Sequence, residues 1–369
     1  MGLVKGIESF FNRSSVVIRS LLVSYSERKN IHKKIKLIKS VSLTTAQITE
    51  INQFFKENYG KKIPLYWHRL YQSYTGSFQK DYFPEVLFST KLEPYANPYR
   101  MAELLGDKNL IPLLFKDVNG VRIPRTYISC TNNLYQNSER HYILQEDVNK
   151  ILKNIGFCVI KKSIDTSSGR DVQVCNFVAG IDQKTKKGVQ EIIKAFGDNF
   201  VVQEYIRQNL VLANLNKSSV NTFRVITYIL DGKVFTCPLA LRMGRSSSDR
   251  DNIHYGGLSI GVKEDGSLMS LAFSEYGNKY TEHPDTKVVF KDYVIGENFV
   301  KKTMRAAMLL HERIPYLKIL SWDLTIDEDG MVTIIEVNTT GQSAWFPQMV
   351  TGKSLFGFNT SKILKLIRK

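Results

Sequence analysis

Ser321-Trp-Asp323-Leu-Thr-Ile326, the turn Asp327-Glu-Asp-Gly330 and the run Met331-Val-Thr-Ile-Ile-Glu336-Val-Asn338 decide the fold. Two apolar runs flanking an Asp-Gly turn read as a β-hairpin, with strands over 319–326 and 332–337. Side chains two apart on a strand share a face, so Glu336 and Asn338 point the same way, and a paired strand can bring Asp323 beside them. Three oxygen donors gathered in this way suit magnesium, which prefers oxygen and completes its shell with water and phosphate. The bland reading is a solvated hairpin with acids near its turn. Against it, Asp323 and Glu336 sit inside apolar runs, where an unpaired carboxylate is costly to bury.

Outward from this hairpin the pattern continues. Phe157-Cys-Val-Ile160 and Phe200-Val-Val-Gln-Glu-Tyr-Ile206 read as strands with a helix over 189–196 between them, and 223–230 is joined through Asp231-Gly232 to a strand over 234–241. A helix over 297–313 precedes the decisive hairpin. A helix over 46–58 is expected to start at Thr45 as N-cap and stop at Gly60. Residues 61–100, rich in Tyr, Pro and Trp without clear period, are expected to be irregular, and 97–116 to hold one helix followed by a turn at Gly120 into a short strand. The sum is an α+β chain with antiparallel hairpins rather than a βαβ series.

Three further groups could carry chemistry. Lys161-Lys-Ser-Ile-Asp-Thr-Ser-Ser168-Gly169-Arg170 delivers a lysine at a strand end and then a small hydroxyl-rich turn that can aim backbone N–H groups at phosphate. An ordinary hairpin turn is its plain alternative. Val202-Gln203-Glu204-Tyr205-Ile206 can present backbone donors and acceptors to adenine, or be an edge strand. Asn221-Thr-Phe-Arg224, Leu241-Arg242-Met-Gly-Arg245 and His254 place three arginines and a histidine where phosphates or carboxylates can be held by bidentate contacts, or form a surface charge cluster.

Composition bounds the rest. With 369 residues and 43% hydrophobic content the chain can bury real cores, and two or three packed units are expected. Cys130, Cys158, Cys175 and Cys237 form no C-x-x-C pair, and read as reduced core residues of a cytosolic protein. No apolar run reaches membrane-spanning length, and no cleavable signal peptide is evident. The net charge is +16, and the first 40 residues hold nine Lys or Arg against two Glu. There Val4, Ile7, Phe11, Ile18 and Leu22 fall on one helical face, which is either docked on the protein body or an interfacial anchor for an anionic surface. Nucleic acid is disfavoured, since no binding motif and no interleaved basic and aromatic surface is present.

Taken in order, the Lys-plus-Ser/Gly turn, the Gln-Glu-Tyr-Ile strand, Asn-Thr-Phe-Arg and the Trp-Asp…Glu-Val-Asn end resemble the ATP-grasp superfamily, and its sugar-transfer-associated polysaccharide-biosynthesis branch most of all. The resemblance spans about residues 50–350, including Asp107-Lys108-Asn109 and His283-Pro-Asp-Thr286. It implies two α+β lobes clasping ATP, with a helical N-terminal extension: 1–95 helical and irregular, 96–150 a pre-ATP-grasp segment, 151–206 the N-lobe and 207–369 the C-lobe. By the same resemblance Lys108 and Lys161 contact phosphates, with Ser168 and Gly169 in the covering turn. Gln203, Glu204, Tyr205 and Ile206 line the adenine pocket. Arg224 steadies the transferring phosphoryl group, and Asp323, Glu336 and Asn338 hold Mg2+. Arg242, Arg245 and His254 are candidates for substrate binding. Lys162 stands where relatives commonly have proline, and Asp171 where a second glycine is usual. The implied activity is a carboxylate–amine ligase working through an acyl phosphate, joining an amine or amino acid to a uronic acid of a capsule or O-antigen; the expected location is the cytoplasm, with the inner face of the membrane as the alternative. A kinase acting on a hydroxyl and a non-catalytic nucleotide-binding scaffold are the rival expectations.

Overall fold

A computed structural model describes residues 18, 20–34, 41–164, 171–245, 256–275 and 277–368. Two sheets organise them. The larger has nine strands, running from Val121–Arg122 at one edge through Val332–Asn338, Ile319–Ile326, Thr222–Leu230, Ala240–Met243 and Leu258–Gly261 to two short strands, with Lys233–Thr236 folded back on Thr222–Leu230. The smaller has seven, with Thr126–Thr131, Phe200–Glu204, Gly156–Lys162 and Val172–Val178 at its centre. All pairings but that of Val121–Arg122 with Val332–Thr333 are antiparallel among the named strands. The fold is thus α+β, with hairpins where Asp-Gly turns predict them.

Each sheet is covered by helices whose apolar stripes match the periodicity in the sequence. Helix Glu297–Arg313 buries Val300, Ala306, Ala307 and Leu310 against the large sheet. Helices Gln145–Leu152 and Val189–Phe196 cover the small one. Behind the large sheet Trp322 is fully buried, its indole N–H donating to Thr227 Oγ1 at 2.8 Å, while His311 Nδ1 lies 2.6 Å from the same hydroxyl. All four cysteines are buried and free.

Several expected elements differ. The cap of helix Thr45–Asn58 is Thr44, one residue earlier than expected, because Thr44 and Gln47 form a reciprocal capping box. Residues 61–100 are not irregular: Tyr66–Thr75 is a helix burying Trp67, Leu70, Tyr71 and Tyr74 at spacings of three, four and seven, and helical turns run from Glu85 to Ala96. Pro84 caps one of these turns and Pro94 sits in the first turn of another, positions where a missing N–H costs nothing. The strand expected over 234–241 is two, Lys233–Thr236 and Ala240–Met243, separated at Pro238, which cannot donate to a ladder. The single helix expected over 97–116 is broken into Tyr99–Leu105, Lys108–Leu110 and Ile111–Leu114. Asp107 makes the break by accepting the Asn109 N–H, and at Gly106 a β-carbon would stand 2.9 Å from Thr339 Oγ1.

Of the N-terminal segment, residues 20–34 are helical, and Val4, Ile7 and Phe11 lie outside the described residues. The helix meets the body through buried Ile31, whereas Ile18 and Leu22 face solvent.

One buried side chain pins the start of the decisive hairpin. Asn97 donates to the carbonyls of Ile319 (2.6 Å) and Thr339 (2.8 Å) and accepts the Ile319 N–H. Truncation would strand these buried groups, so Asn97→Ala is expected to lower stability by about 2–3 kcal/mol, read from the urea midpoint at unchanged slope.

Candidate functional site

Three adjacent strands place Glu336, Asp323 and Arg224 in one row across the large sheet. Asp323 is the direct cross-strand partner of Glu336 on one side and of Arg224 on the other. The ladder between Ile319–Ile326 and Val332–Asn338 shifts register after Asp323, as an irregularity that turns side chains towards a site. Asp323 is only 2% exposed. Its carboxylate accepts from Arg224 Nε at 2.7 Å and Arg224 Nη2 at 3.2 Å, from Arg242 Nη2 at 3.1 Å, and from Asn338 Nδ2 at 3.4 Å. Burial works against its charge, but Arg224 and Arg242 more than offset it and hold Asp323 below the usual carboxylate range.

The other cations come from outside these strands. Lys108, carried by the break after Gly106, reaches Glu336 at 3.0 Å. Its backbone N–H donates to Ser163 O, just beyond the end of strand Gly156–Lys162 in the small sheet. Lys161 lies on that strand and feels Glu336, Lys108 and Asp323. Burial pulls its ammonium down from 10.5 to about 8; Glu336 and Asp323 oppose the shift and Lys108 adds to it. Both sheets therefore contribute to one cluster of four cations, Lys108, Lys161, Arg224 and Arg242, around two carboxylates.

The remaining predicted residues divide. Gln203 is buried, and its amide lies 3.5 Å from Thr126 Oγ1. Ile206 is buried, and the Tyr205 ring tilts against Phe157. Glu204 accepts from Arg122 at 3.1 and 3.2 Å and from the Arg125 N–H at 3.0 Å. Arg122 also donates to Asp327 in the turn of the decisive hairpin at 2.9 Å, so it ties the small sheet to the large one. Sequence reasoning missed Arg122; an arginine in a two-residue strand carries no periodic signal. Arg245 lies against Tyr280 rather than Asp323, with its Nη1 3.3 Å from the phenol oxygen. Neighbouring Gly244 offers its carbonyl to buried His283 at 2.9 Å. Ser168, Gly169 and His254 lie outside the described residues.

The donor set fits magnesium chemically. Among the described residues no three His, Cys, Asp or Glu cluster as a metal cage. Two facing carboxylates and a neighbouring amide are instead what an ion needs when it keeps water and phosphate ligands. Glu336 is the accessible member, its side chain about a third exposed.

The class of the chain follows from its sequence profile, which over three quarters of its length is that of an ATP-grasp protein. Within that class it belongs to the sugar-transfer associated ATP-grasp family, whose profile matches residues 87–363. No curated protein matches it. Among solved structures it is similar to the biotin carboxylase domain of Hydrogenobacter thermophilus 2-oxoglutarate carboxylase, in complex with MgADP, ADP and bicarbonate. That match has 18% identity, covers 74% of this chain and 47% of that one, and has a TM-score of 0.42. It is also similar to Staphylococcus aureus N5-carboxyaminoimidazole synthetase complexed with ADP (12%, 71% and 56%, TM-score 0.41). A third is the L-amino acid ligase of Bacillus licheniformis (13%, 72% and 48%, TM-score 0.39). The chain spans about half the length of these structures.

The electrostatics of the cluster are directly measurable. Lysine Cε chemical shifts should show Lys161 losing its proton as pH rises through about 8. Glu336→Gln should lower that midpoint further and Lys108→Met should raise it, because the first favours the charge and the second opposes it.

Proposed function

We propose that the protein is an ATP- and Mg2+-dependent carboxylate–amine ligase that works through an acyl phosphate. The observation that carries this reading is the convergence of both sheets on one cluster, in which Lys108, Lys161, Arg224 and Arg242 gather around Asp323 and Glu336. A triphosphate fits that concentration of cations. Asp323, Glu336 and Asn338 would hold the metal, which supplies charge neutralisation along the phosphate chain.

The chain's own residues account for the rest. A carboxylate attacking a phosphoryl group brings anions together, so cations must be in place beforehand. Arg224 and Arg242 are fixed by Asp323 and need no reorganisation to face a phosphate. Lys108 and Lys161 position the terminal phosphates from the side of the small sheet. Gln203 and Ile206, which are buried, and the half-buried Tyr205 would line the adenine ring. The amine then attacks the acyl phosphate, releasing phosphate, while the converging sheets exclude water from the intermediate. Arg245 and His254 are candidates for holding the substrate. A uronic acid of a capsule or O-antigen as the carboxylate, and an amino acid or amine as its partner, agrees with the family's association with sugar transfer and with the +16 charge.

A screen of uronic-acid glycans against amino acids, with Mg2+ and ATP present, tests the reading: ADP release is expected only when carboxylate and amine are both supplied. Release with a hydroxyl acceptor alone would make the protein a kinase, and no release with any acceptor would favour a scaffold. The double variant Glu336→Ala, Asn338→Ala is expected to lower kcat by about 100-fold or more; unchanged turnover would remove the metal from the proposal.

The N-terminal helix supports a second component of this reading, a location on the inner membrane surface. Ile18, Leu21, Leu22 and Tyr25 are 57–71% exposed, and Arg28 and Lys29 follow on the exposed helix. Apolar side chains beside basic ones suit an anionic lipid interface, and no helix among the described residues is long and apolar enough to cross a membrane. The protein is expected to sediment with phosphatidylserine vesicles and not with phosphatidylcholine ones, and Leu21→Glu with Leu22→Glu should abolish the binding.

A further inference from the structure

The face of the small sheet that carries Lys161 extends well past it. Lys161 is the cross-strand partner of Val201, Val201 of Ser129, and Ser129 of Gln136, so these four side chains share one face as far as strand Leu134–Asn137. Beyond Asn137 the chain turns back through Ser138-Glu-Arg140-His141 into the short strand Tyr142–Ile143. Asn137 holds this turn: its side-chain oxygen accepts the N–H groups of Glu139 at 3.0 Å and His141 at 2.9 Å, and its carbonyl accepts that of Arg140 at 3.0 Å. Arg140 takes a left-handed backbone there, with φ of 63°, which an arginine seldom adopts.

The side chain so placed returns to the catalytic neighbourhood. Arg140 Nη2 donates to the Asn109 carbonyl at 2.8 Å. Asn109 directly follows Lys108, and its Nδ2 donates to Cys130 O at 3.0 Å and Thr131 Oγ1 at 3.1 Å. Lys108 is tied to Ser163, at the end of the strand of Lys161, whereas Asn109 is tied to Thr126–Thr131, two strands or roughly 10 Å across the sheet. The guanidinium therefore stands next to Lys108, on the side away from Lys161.

One bond to a carbonyl leaves most of a guanidinium's five donors unused. Among the described residues no carboxylate pairs with Arg140, and the acid of its own turn, Glu139, lies 3.4 Å from His141 instead. The group is half-buried, and burial pulls it below the usual arginine range with no acid to oppose the shift. A guanidinium drawn partly out of water gains most from a planar oxyanion, which it holds by two parallel bonds.

We propose that Arg140 is a substrate-binding residue that grips a carboxylate, that of a uronic acid or of an amino acid, beside Lys108. Its place in the reaction rests on the ligase reading, in which both substrates must lie next to the lysines that hold the terminal phosphate; the binding itself requires no turnover.

The Arg140 Nε–Hε resonance of the full chain, assigned by its loss in Arg140→Lys, is expected to shift on titration with glucuronate or with glycine, and not with glucose. A response to glucuronate assigns the site to the uronic acid, and one to glycine assigns it to the amino acid. Arg140→Met should weaken that carboxylate at least tenfold. Arg140→Lys, which keeps the charge and loses the fork, should weaken it several-fold, and serves where Arg140→Met fails to fold. The loss should fall on the carboxylate and not on ADP. No response to either carboxylate, a larger response to inorganic phosphate, or an equal loss of ADP affinity would each overturn the proposal, the last by making Arg140 a brace for Lys108. Carboxylate binding through Arg140 without ADP release in the acceptor screen would sink the ligase reading and leave this site standing. ADP release with an unmoved carboxylate KM in Arg140→Met would do the reverse.

Discussion

A carboxylate buried in the middle of a sheet is the constraint on which the rest of this molecule turns. Asp323 is surrounded by apolar side chains of its own strand, and its charge is tolerated because Arg224 and Arg242 reach it from two neighbouring strands. Removing either partner of such a pair leaves an uncompensated buried ion, a change that typically costs several kcal/mol. The register of three strands is therefore locked by electrostatics as well as by packing, since a one-residue slip would turn Arg224 away from Asp323. The same pairing keeps both guanidinium groups rigid. Rigid cations in a dry setting are what a site for phosphoryl chemistry requires, because they need not rearrange as charge develops.

The second constraint is that the site is shared between sheets. Lys161 belongs to the small sheet, while its acidic neighbours belong to the large one. Arg122 spans the same divide, joining Glu204 to Asp327. Glu204, expected beside adenine, has partners in Arg122 and the Arg125 amide, and through Arg122 it ties the sheets together. An anion bound between Lys161 and Arg224 would add a further tie across the divide.

Much of this was readable in the chain, and the reasons differ residue by residue. The hairpin of Asp323 and Glu336 announces itself because apolar runs and an Asp-Gly turn are local signals. Helix Glu297–Arg313 has a clean stripe and was placed at its observed limits. Helix Tyr66–Thr75 had an equally regular stripe, Trp67, Leu70, Tyr71 and Tyr74, but nearby prolines masked it by suggesting breaks where they only start turns. The family resemblance named Lys108 beside Lys161, yet not that Lys108 pairs with Glu336, a contact made next to the break at Gly106, where the chain passes close to Thr339. Contacts between positions more than two hundred apart, such as Asn97 with Ile319 and Thr339, leave no trace in local pattern. The chamber walled by residues 20–34, 67–70, 85–99, 275 and 340–345 was illegible for the same reason, being assembled from five separated segments.

The three tryptophans fall into two settings that light can distinguish. Trp322 is sealed behind Asp323 with its indole hydrogen committed to Thr227. Trp67 and Trp345 border the chamber, the latter beneath the Lys34 ammonium. Emission from Trp322 should therefore follow the integrity of the sheet, whereas a nearby cation quenches Trp345 and makes it sensitive to whatever displaces Lys34. The molecule thus contains, without labelling, separate optical reporters for its scaffold and for its chamber.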